Sequence, residues 1–338
     1  MKKSDLLREK IKHIDIKNFN STKIIKAMQG MSFTAGEVGR ASEIFEKMIK
    51  DKDCVIVLAL AGSTSAAGCM QVYVDMVKSN MIDAVVATGA SIVDMDFFEA
   101  LGFKHYRGSY NIDDSILNDL YIDRIYDTFI DEENLQKCDL TIKKIADSLE
   151  PKVYSSREFI REMGKYLKKY SKKKNSLVQT CFENSVPIFC PAFSDSSAGF
   201  GLVLNQIENP NKHISIDSVK DFKELTDIKI NAEETGIFIV GGGTPKNFLQ
   251  DTVVCAKVQG KSVPMHKYAI QITVADVRDG ACSSSTLEEA QSWGKVSVDN
   301  QQMVFAEATA VLPLITSYIY HKGDWKNRKK HELAKLFQ

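Results

Sequence analysis

The sequence lacks an excess of either charge: 44 lysines and arginines are matched by 44 aspartates and glutamates among 338 residues. No global field therefore draws the chain to nucleic acid or to an anionic membrane, and any charge selectivity must be local. It also lacks an apolar run of 18 residues, and its first residues, MKKSDLLREKIK, are charged without an apolar centre. These features predict a cytoplasmic protein with no membrane span and no export signal. The seven cysteines (54, 69, 138, 181, 190, 255, 282) are scattered and never spaced C-x-x-C, which disfavours a disulfide framework or a zinc site and favours a reducing interior. The six histidines show no metal-ligand spacing, and H-E-x-x-H and G-x-S-x-G are both missing, so metal and serine hydrolases are set aside. The G-x-G-x-x-G dinucleotide fingerprint is missing too.

What is present is a core and a recurring theme. Apolar residues make up 44% of the chain, ample for one large domain. Residues 1–50 carry helical patterns, one within Ser4–Ile14 and one from Ala35 to Ile49, and read as an N-terminal helical arm. From residue 51 to 338 a short apolar run, a loop of Gly, Ser, Thr or Asp, and a helical pattern follow one another repeatedly. The runs are VIVLAL, DAVVA, VPIFCPAF, GIFIV, YAIQIT and MVFAE. Runs without alternation are buried on both faces, and alternation with helices implies parallel strands. The expected fold is α/β, a Rossmann-like, doubly wound, mostly parallel sheet in a single domain. The basic run Lys168–Lys174 reads as a solvated helix end, and the polar C-terminus as a terminal helix or frayed tail.

In such a sheet, ligands bind where the strands' carboxyl ends open into loops. Gly241-Gly242-Gly243-Thr244-Pro245-Lys246-Asn247 is the strongest of these loops: its glycines let backbone approach a ligand, Thr244 suits an N-cap, and Pro245 the first helical position. The same glycines can serve only to permit tight turns. Asp94, Asp195, Asp276, Asp279, Glu289 and Glu307 could hold hydroxyls or a cation, or act as plain caps. Cys190 and Cys282, with no adjacent base in sequence, read as small packing residues. Thr286-Leu287-Glu288-Glu289 reads as a capping box, with its helix ending at Gly294 and Val296-Ser297-Val298 alternating like a strand. Lys295 between them, beside Trp293, is either a surface charge or a desolvated amine nucleophile.

EEAQSWGKVSVD, together with IFIVGGGTPKNF at 237–248, PAFSDSSAG at 191–199 and VVATGASIVDMDFFEALGFKHYRGS at 85–109, resembles the deoxyhypusine synthase family over roughly residues 20–320. The resemblance implies a homotetramer of two tight dimers with NAD bound between subunits. It implies an NAD-dependent transfer of an aminobutyl group from spermidine, a polyamine, through an imine on the lysine matched by Lys295. Matched to NAD are Gly62, Ser63, Thr64, Thr88, Gly89, Ala90, Asp94, Asp195, Gly241, Gly242, Gly243, Ala275, Asp279, Glu307 and Ala308. Matched to the amine pocket are Trp293, Glu289, Ser197, Gly280 and Lys295. Three positions depart from the eukaryotic pattern: Asn247 replaces a histidine, and Phe200 and Cys282 replace aspartates that hold a substrate amine. The departures favour a homospermidine synthase type of transferase, with spermidine or putrescine as donor and a small diamine as acceptor. The alternatives are deoxyhypusine synthesis on a lysine of translation initiation factor 5A and a catalytically idle NAD-binding scaffold.

Overall fold

The computed structural model describes residues 2–337. In chain order its strands are β1 (Cys54–Leu60), β2 (Ala84–Ala87), β3 (His105–Arg107), β4 (Ile122–Ile125), β5 (Thr128–Asp131) and β6 (Val153–Tyr154). They continue with β7 (Ile188–Phe189), β8 (Ser215–Ile216), β9 (Glu234–Val240), β10 (Tyr268–Thr273) and β11 (Gln301–Phe305). The six apolar runs supply β1, β2, β7, β9, β10 and β11, which form one sheet in the order β11-β10-β9-β1-β2-β7 with every pair parallel. The charged middle of the chain builds a small antiparallel sheet, β3-β5-β4, and β6 pairs with β8.

Burial explains the continuous apolar runs. In β1, Ile56, Leu58 and Leu60 enter one core, while Val55, Val57 and Ala59 enter another on the opposite face. Period-two geometry sends successive side chains to opposite faces, so a strand covered on both sides has no polar position. The first core also takes Val38, Phe45 and Met48 from the helix Phe33–Lys50, and Leu312 and Ile315 from the helix Ala308–Lys322. The second takes Leu225 and Ile228 from the helix Ser218–Asn231, together with Leu287, Ala290 and Val296.

Four local expectations change. Only Lys3–Leu6 of the first arm pattern is helical. Val296-Ser297-Val298 is not a strand; Val296 makes an isolated parallel bridge to His266. The basic run is not wholly solvated, because Lys173 pairs with the buried Glu99, which also contacts His13 and His105 at 2.8 Å each. The C-terminus is not frayed. It forms short 3₁₀ turns at Asp324–Asn327 and Leu333–Phe337, and Arg328 between them is buried.

Arg328 meets the carboxylate of Asp83, the residue before β2, and donates to the carbonyls of Asn80 and Cys54 at 2.9 Å each. Asp83 in turn accepts the Ile56 N–H of β1 at 2.7 Å. Removing one partner of a buried pair leaves the other charge uncompensated, which costs about 3–5 kcal/mol. Arg328→Met should therefore lower unfolding stability by that amount in urea titrations, and adding Asp83→Asn should recover part of it. A loss near zero would mean that the tail is not anchored through this pair.

Candidate active site

Read in chain order, the main-sheet strands run 3-2-1-4-5-6, and the topological switch falls between β1 and β9. All six loops after these strands lie on one edge. At the switch, Ala61-Gly62-Ser63-Thr64 faces Gly241-Gly242-Gly243: a Cβ on Gly241 (φ +75°) would come within 3.0 Å of the Ala61 carbonyl. Gly62 (φ +82°) and Gly243 (φ +59°) instead face open space, with nothing within 4 Å of where a Cβ would stand. Left-handed backbone at both positions needs glycine whatever the surroundings.

Hydrogen bonds tie the loops into one frame. Ser91 donates to the Gly62 carbonyl at 3.2 Å and shares a 2.9 Å hydroxyl contact with Thr88. Thr64 Oγ1 meets the Tyr73 hydroxyl at 2.7 Å. Gly89 sits tightly against Ser196 and Asp195, whose carboxylate is in an exposed residue. Asp94 accepts the Ser197 N–H at 2.8 Å; burial, reinforced by Asp139 and Asp195, pushes its carboxyl up to about 6. Gln271, buried on β10, donates to the carbonyls of Gly241 and Ser283 at 2.9 Å each, and so fixes the glycine loop to the loop after β10. Two wide π-helical segments, Ser65–Cys69 and Ala90–Phe97, follow β1 and β2, a geometry frequent at functional sites.

Beyond the switch, Ala275 N–H bonds the Thr273 hydroxyl at 3.1 Å, and Asp279 accepts the Ala281 N–H at 3.0 Å. Glu307 caps the following helix through Ala310 N–H at 3.2 Å, with Ala308 at its first turn. Gly280 is exposed, with no atom near a prospective Cβ. Cys282 is exposed as well, so it is not the packing residue that its sequence context suggests, whereas Cys190 is buried.

The helix Gly243–Gln250 leads away from the switch. Gly242, not Thr244, is its N-cap, which moves Pro245 two places further in, where it still replaces only a donor without an intrahelical partner. Thr244, Asn247 and Asp251 follow at intervals of three and four, so they share one face that runs about 10 Å along the helix. At its far end, Lys295 Nζ pairs with Asp251 Oδ1 at 2.5 Å. Asn247 Nδ2 donates to the other oxygen, Asp251 Oδ2, at 3.1 Å. Lys295 is 9% exposed, and its ammonium lies 5.1 Å from the Trp293 ring centroid. Trp293 itself is 68% exposed, so the indole flanks the lysine without sealing it from water. The capping box is present: Thr286 caps Glu289 N–H at 2.9 Å, and the Glu289 carboxylate returns to the Thr286 N–H.

Asp251 is absent from the sequence-derived set. Its signal was available, because it stands one helical turn beyond Asn247, but nothing in sequence tied it to Lys295. Ser197 and Phe200 are not gathered around Lys295 through the same framework. They follow β7, four strands from β10, about 19 Å across the sheet at ordinary strand spacing.

Beside the glycine loop, Lys246 is 1% exposed, and burial brings it down to about 8, against partial support from Glu289. It donates to the carbonyls of Cys282 and Ser285, and lies 3.0 Å from the Ser285 hydroxyl. It therefore pins the loop after β10. A folded-state value below the unfolded 10.5 means that the folded protein binds fewer protons between about pH 8 and 10.5, so this contribution to stability rises with pH over that window. The stability difference between wild type and Lys246→Met should grow by up to about 3 kcal/mol from pH 8 to 10.5 in urea unfolding. A pH-independent difference would refute the burial argument.

The deoxyhypusine synthase family model matches residues 23–319. A deoxyhypusine synthase-like protein from Coxiella burnetii is 64% identical over 99% of this chain and 96% of its own length. A protein of the same name from Chlorobaculum tepidum is 58% identical over 97% of this chain and 94% of its own. Among solved structures, an Entamoeba histolytica protein assigned as a deoxyhypusine synthase shares the fold with a TM-score of 0.59 and 19% identity, over 96% of this chain and 99% of that one. The matched segment takes in the glycine loop at the switch, the helix that leads from it, and the lysine at that helix's end, and the chain belongs to the deoxyhypusine synthase family.

Proposed function

We propose that this protein is an NAD-dependent aminobutyl transferase of the homospermidine synthase type, which moves the aminobutyl group of spermidine or putrescine onto a small diamine through an imine on Lys295. The observation that carries the reading is the Lys295–Asp251–Asn247 chain at the end of a helix whose other end opens at the sheet's switch point. An amine nucleophile needs a partner that can take its proton, and a carboxylate in direct contact supplies one.

The residues at the switch fit a dinucleotide. Gly62 and Gly243 leave space for close approach of a pyrophosphate to the backbone, and the helix starting at Gly243 directs its dipole there. Gly62-Ser63-Thr64, Thr88-Gly89-Ala90 and Gly241-Gly242-Gly243 would line the dinucleotide, with Asp94, Asp195, Ala275, Asp279, Glu307 and Ala308 around it. When bound, NAD would supply a hydride acceptor for the donor amine and later a hydride for the product. The chain's own residues bind and orient the amine: Trp293 offers an aromatic face to a cation, Glu289 and Asp279 offer carboxylates, and Lys295 attacks.

A second copy of the chain completes this site. Phe200, Val203 and Ile207, spaced i, i+3 and i+7, expose an apolar stripe on the helix Ser197–Glu208, which is the kind of surface that associates. The proposed assembly is a homotetramer with NAD between subunits. Phe200, at 61% exposure, and Cys282 carry no charge where the eukaryotic pattern has aspartates, and this favours a small diamine over the lysine of translation initiation factor 5A as acceptor.

Purified protein with NAD and spermidine, with and without putrescine, should yield homospermidine by mass spectrometry, and should leave initiation factor 5A unmodified. Efficient modification of the factor without diamine products would replace this reading with deoxyhypusine synthesis. Lys295→Arg should fall to background, since guanidinium stays charged and cannot form the imine. Gly280→Val should leave stability within about 0.5 kcal/mol, as an exposed and uncrowded position allows, yet raise KM for the amine; an unchanged KM would remove Gly280 from the pocket.

A further inference from the structure

We infer that Asp251 is the proton acceptor of Lys295 and that Asn247 holds it in place for that task; the inference rests on the lysine-imine reading above. Among the described residues, Asp251 is the one carboxylate that pairs with Lys295. Glu289 is engaged by the Thr286 N–H in its capping box, and the Trp293 indole has a donor but no acceptor. Asn247 fixes Asp251 Oδ2 at 3.1 Å, which leaves Oδ1 directed at the ammonium 2.5 Å away. The carboxylate's side chain retains 33% exposure, so its proton can be passed on to a ligand or to water.

The proton count requires such a group. The step starts from a donor already oxidised to its iminium, an oxidation for which bound NAD would supply the hydride acceptor. Lys295 enters as an ammonium with three protons and ends as a protonated imine with one, so two protons must reach the departing nitrogen. The first goes from Nζ to Asp251 Oδ1. The freed lone pair forms the Nζ–C bond, while the C=N π pair moves onto the substrate nitrogen. Within that adduct the second proton passes from Nζ to the departing nitrogen, and the C–N bond breaks with its pair on that nitrogen. The lone pair of Nζ then closes the lysine imine, and Asp251 returns the first proton to the released amine. Two positive charges enter and two leave, and the carboxylate is regenerated.

Asn247 stands where the resemblance to the family implies a histidine. In this chain it acts through Asp251, which makes it a positioning residue.

The test is the single-turnover rate at which full-length protein with NAD and spermidine forms a borohydride-stable lysine adduct. General acid–base groups contribute about 10²–10⁴-fold, and Asp251→Asn should lose a factor in that range with NAD affinity retained. Asp251→Glu, which keeps a carboxylate, should retain adduct formation, and formate should partly restore Asp251→Ala, a rescue that a structural role would not give. Asn247→Ala should be slowed less than Asp251→Asn. Wild-type rates in a folded Asp251→Asn, or no formate rescue together with an inactive Asp251→Glu, would overturn the proposal. If wild-type protein forms no adduct, the functional reading falls and takes this inference with it.

Discussion

β1 is paired in parallel with β2 on one side and β9 on the other. Because hydrogen bonding in this sense extends from β11 to β7, each strand delivers its carboxyl end to the same edge, and each connection must return across a face of the sheet. The switch between β1 and β9 then becomes the place where two loops diverge to opposite sides and leave a crevice. The polar framework of the loops at that edge is built on that constraint. Gln271, buried within β10, holds two of the loops by their carbonyls, and Ser91 ties a third to Gly62.

Lys295 is not on that edge. Its carbonyl accepts the His266 N–H at 2.8 Å, ahead of β10, so its backbone lies toward the opposite end of the strand. The helix Gly243–Gln250 closes the distance, beginning at the glycine loop and ending against the lysine's carboxylate partner. On the proposed reading one substrate carbon must meet both the nicotinamide and Lys295, so a dinucleotide with its pyrophosphate at the glycine loop would extend along the face of Thr244, Asn247 and Asp251 toward the lysine. Burial alone does not single out the reacting amine. Lys246 and Lys229 are more deeply buried, and burial brings both down to about 8, yet Lys246 is committed to loop carbonyls and Lys229 to the Thr235 hydroxyl at 2.7 Å.

The six strands, the parallel sense and the position of the loops were legible in sequence because burial on both faces leaves a continuous apolar run, a local signal. The Thr286–Glu289 capping box was legible because its hydroxyl and carboxylate residues stand three positions apart, also a local signal. The Asp83–Arg328 pair was not, because the 245 residues that separate its members carry no pattern, and a basic tail reads as solvated until its partner is known. Val296–Val298 alternates in sequence but meets only His266, since a strand exists through its neighbour as well as its pattern. Asp251 escaped because the chemistry that marks it is a contact with a residue 44 positions away, and adjacency in sequence did not show that Trp293 would flank Lys295 while itself staying exposed. The family's amine and dinucleotide positions came from motif resemblance, which composition and periodicity could not replace.

The central claim is that Lys295 carries the substrate. Protein incubated with NAD and spermidine, reduced with borohydride and mapped by peptide mass spectrometry, should bear one aminobutyl group on Lys295. Label on Lys246 or Lys229 instead, the two buried lysines shifted toward the neutral amine, would contradict the account.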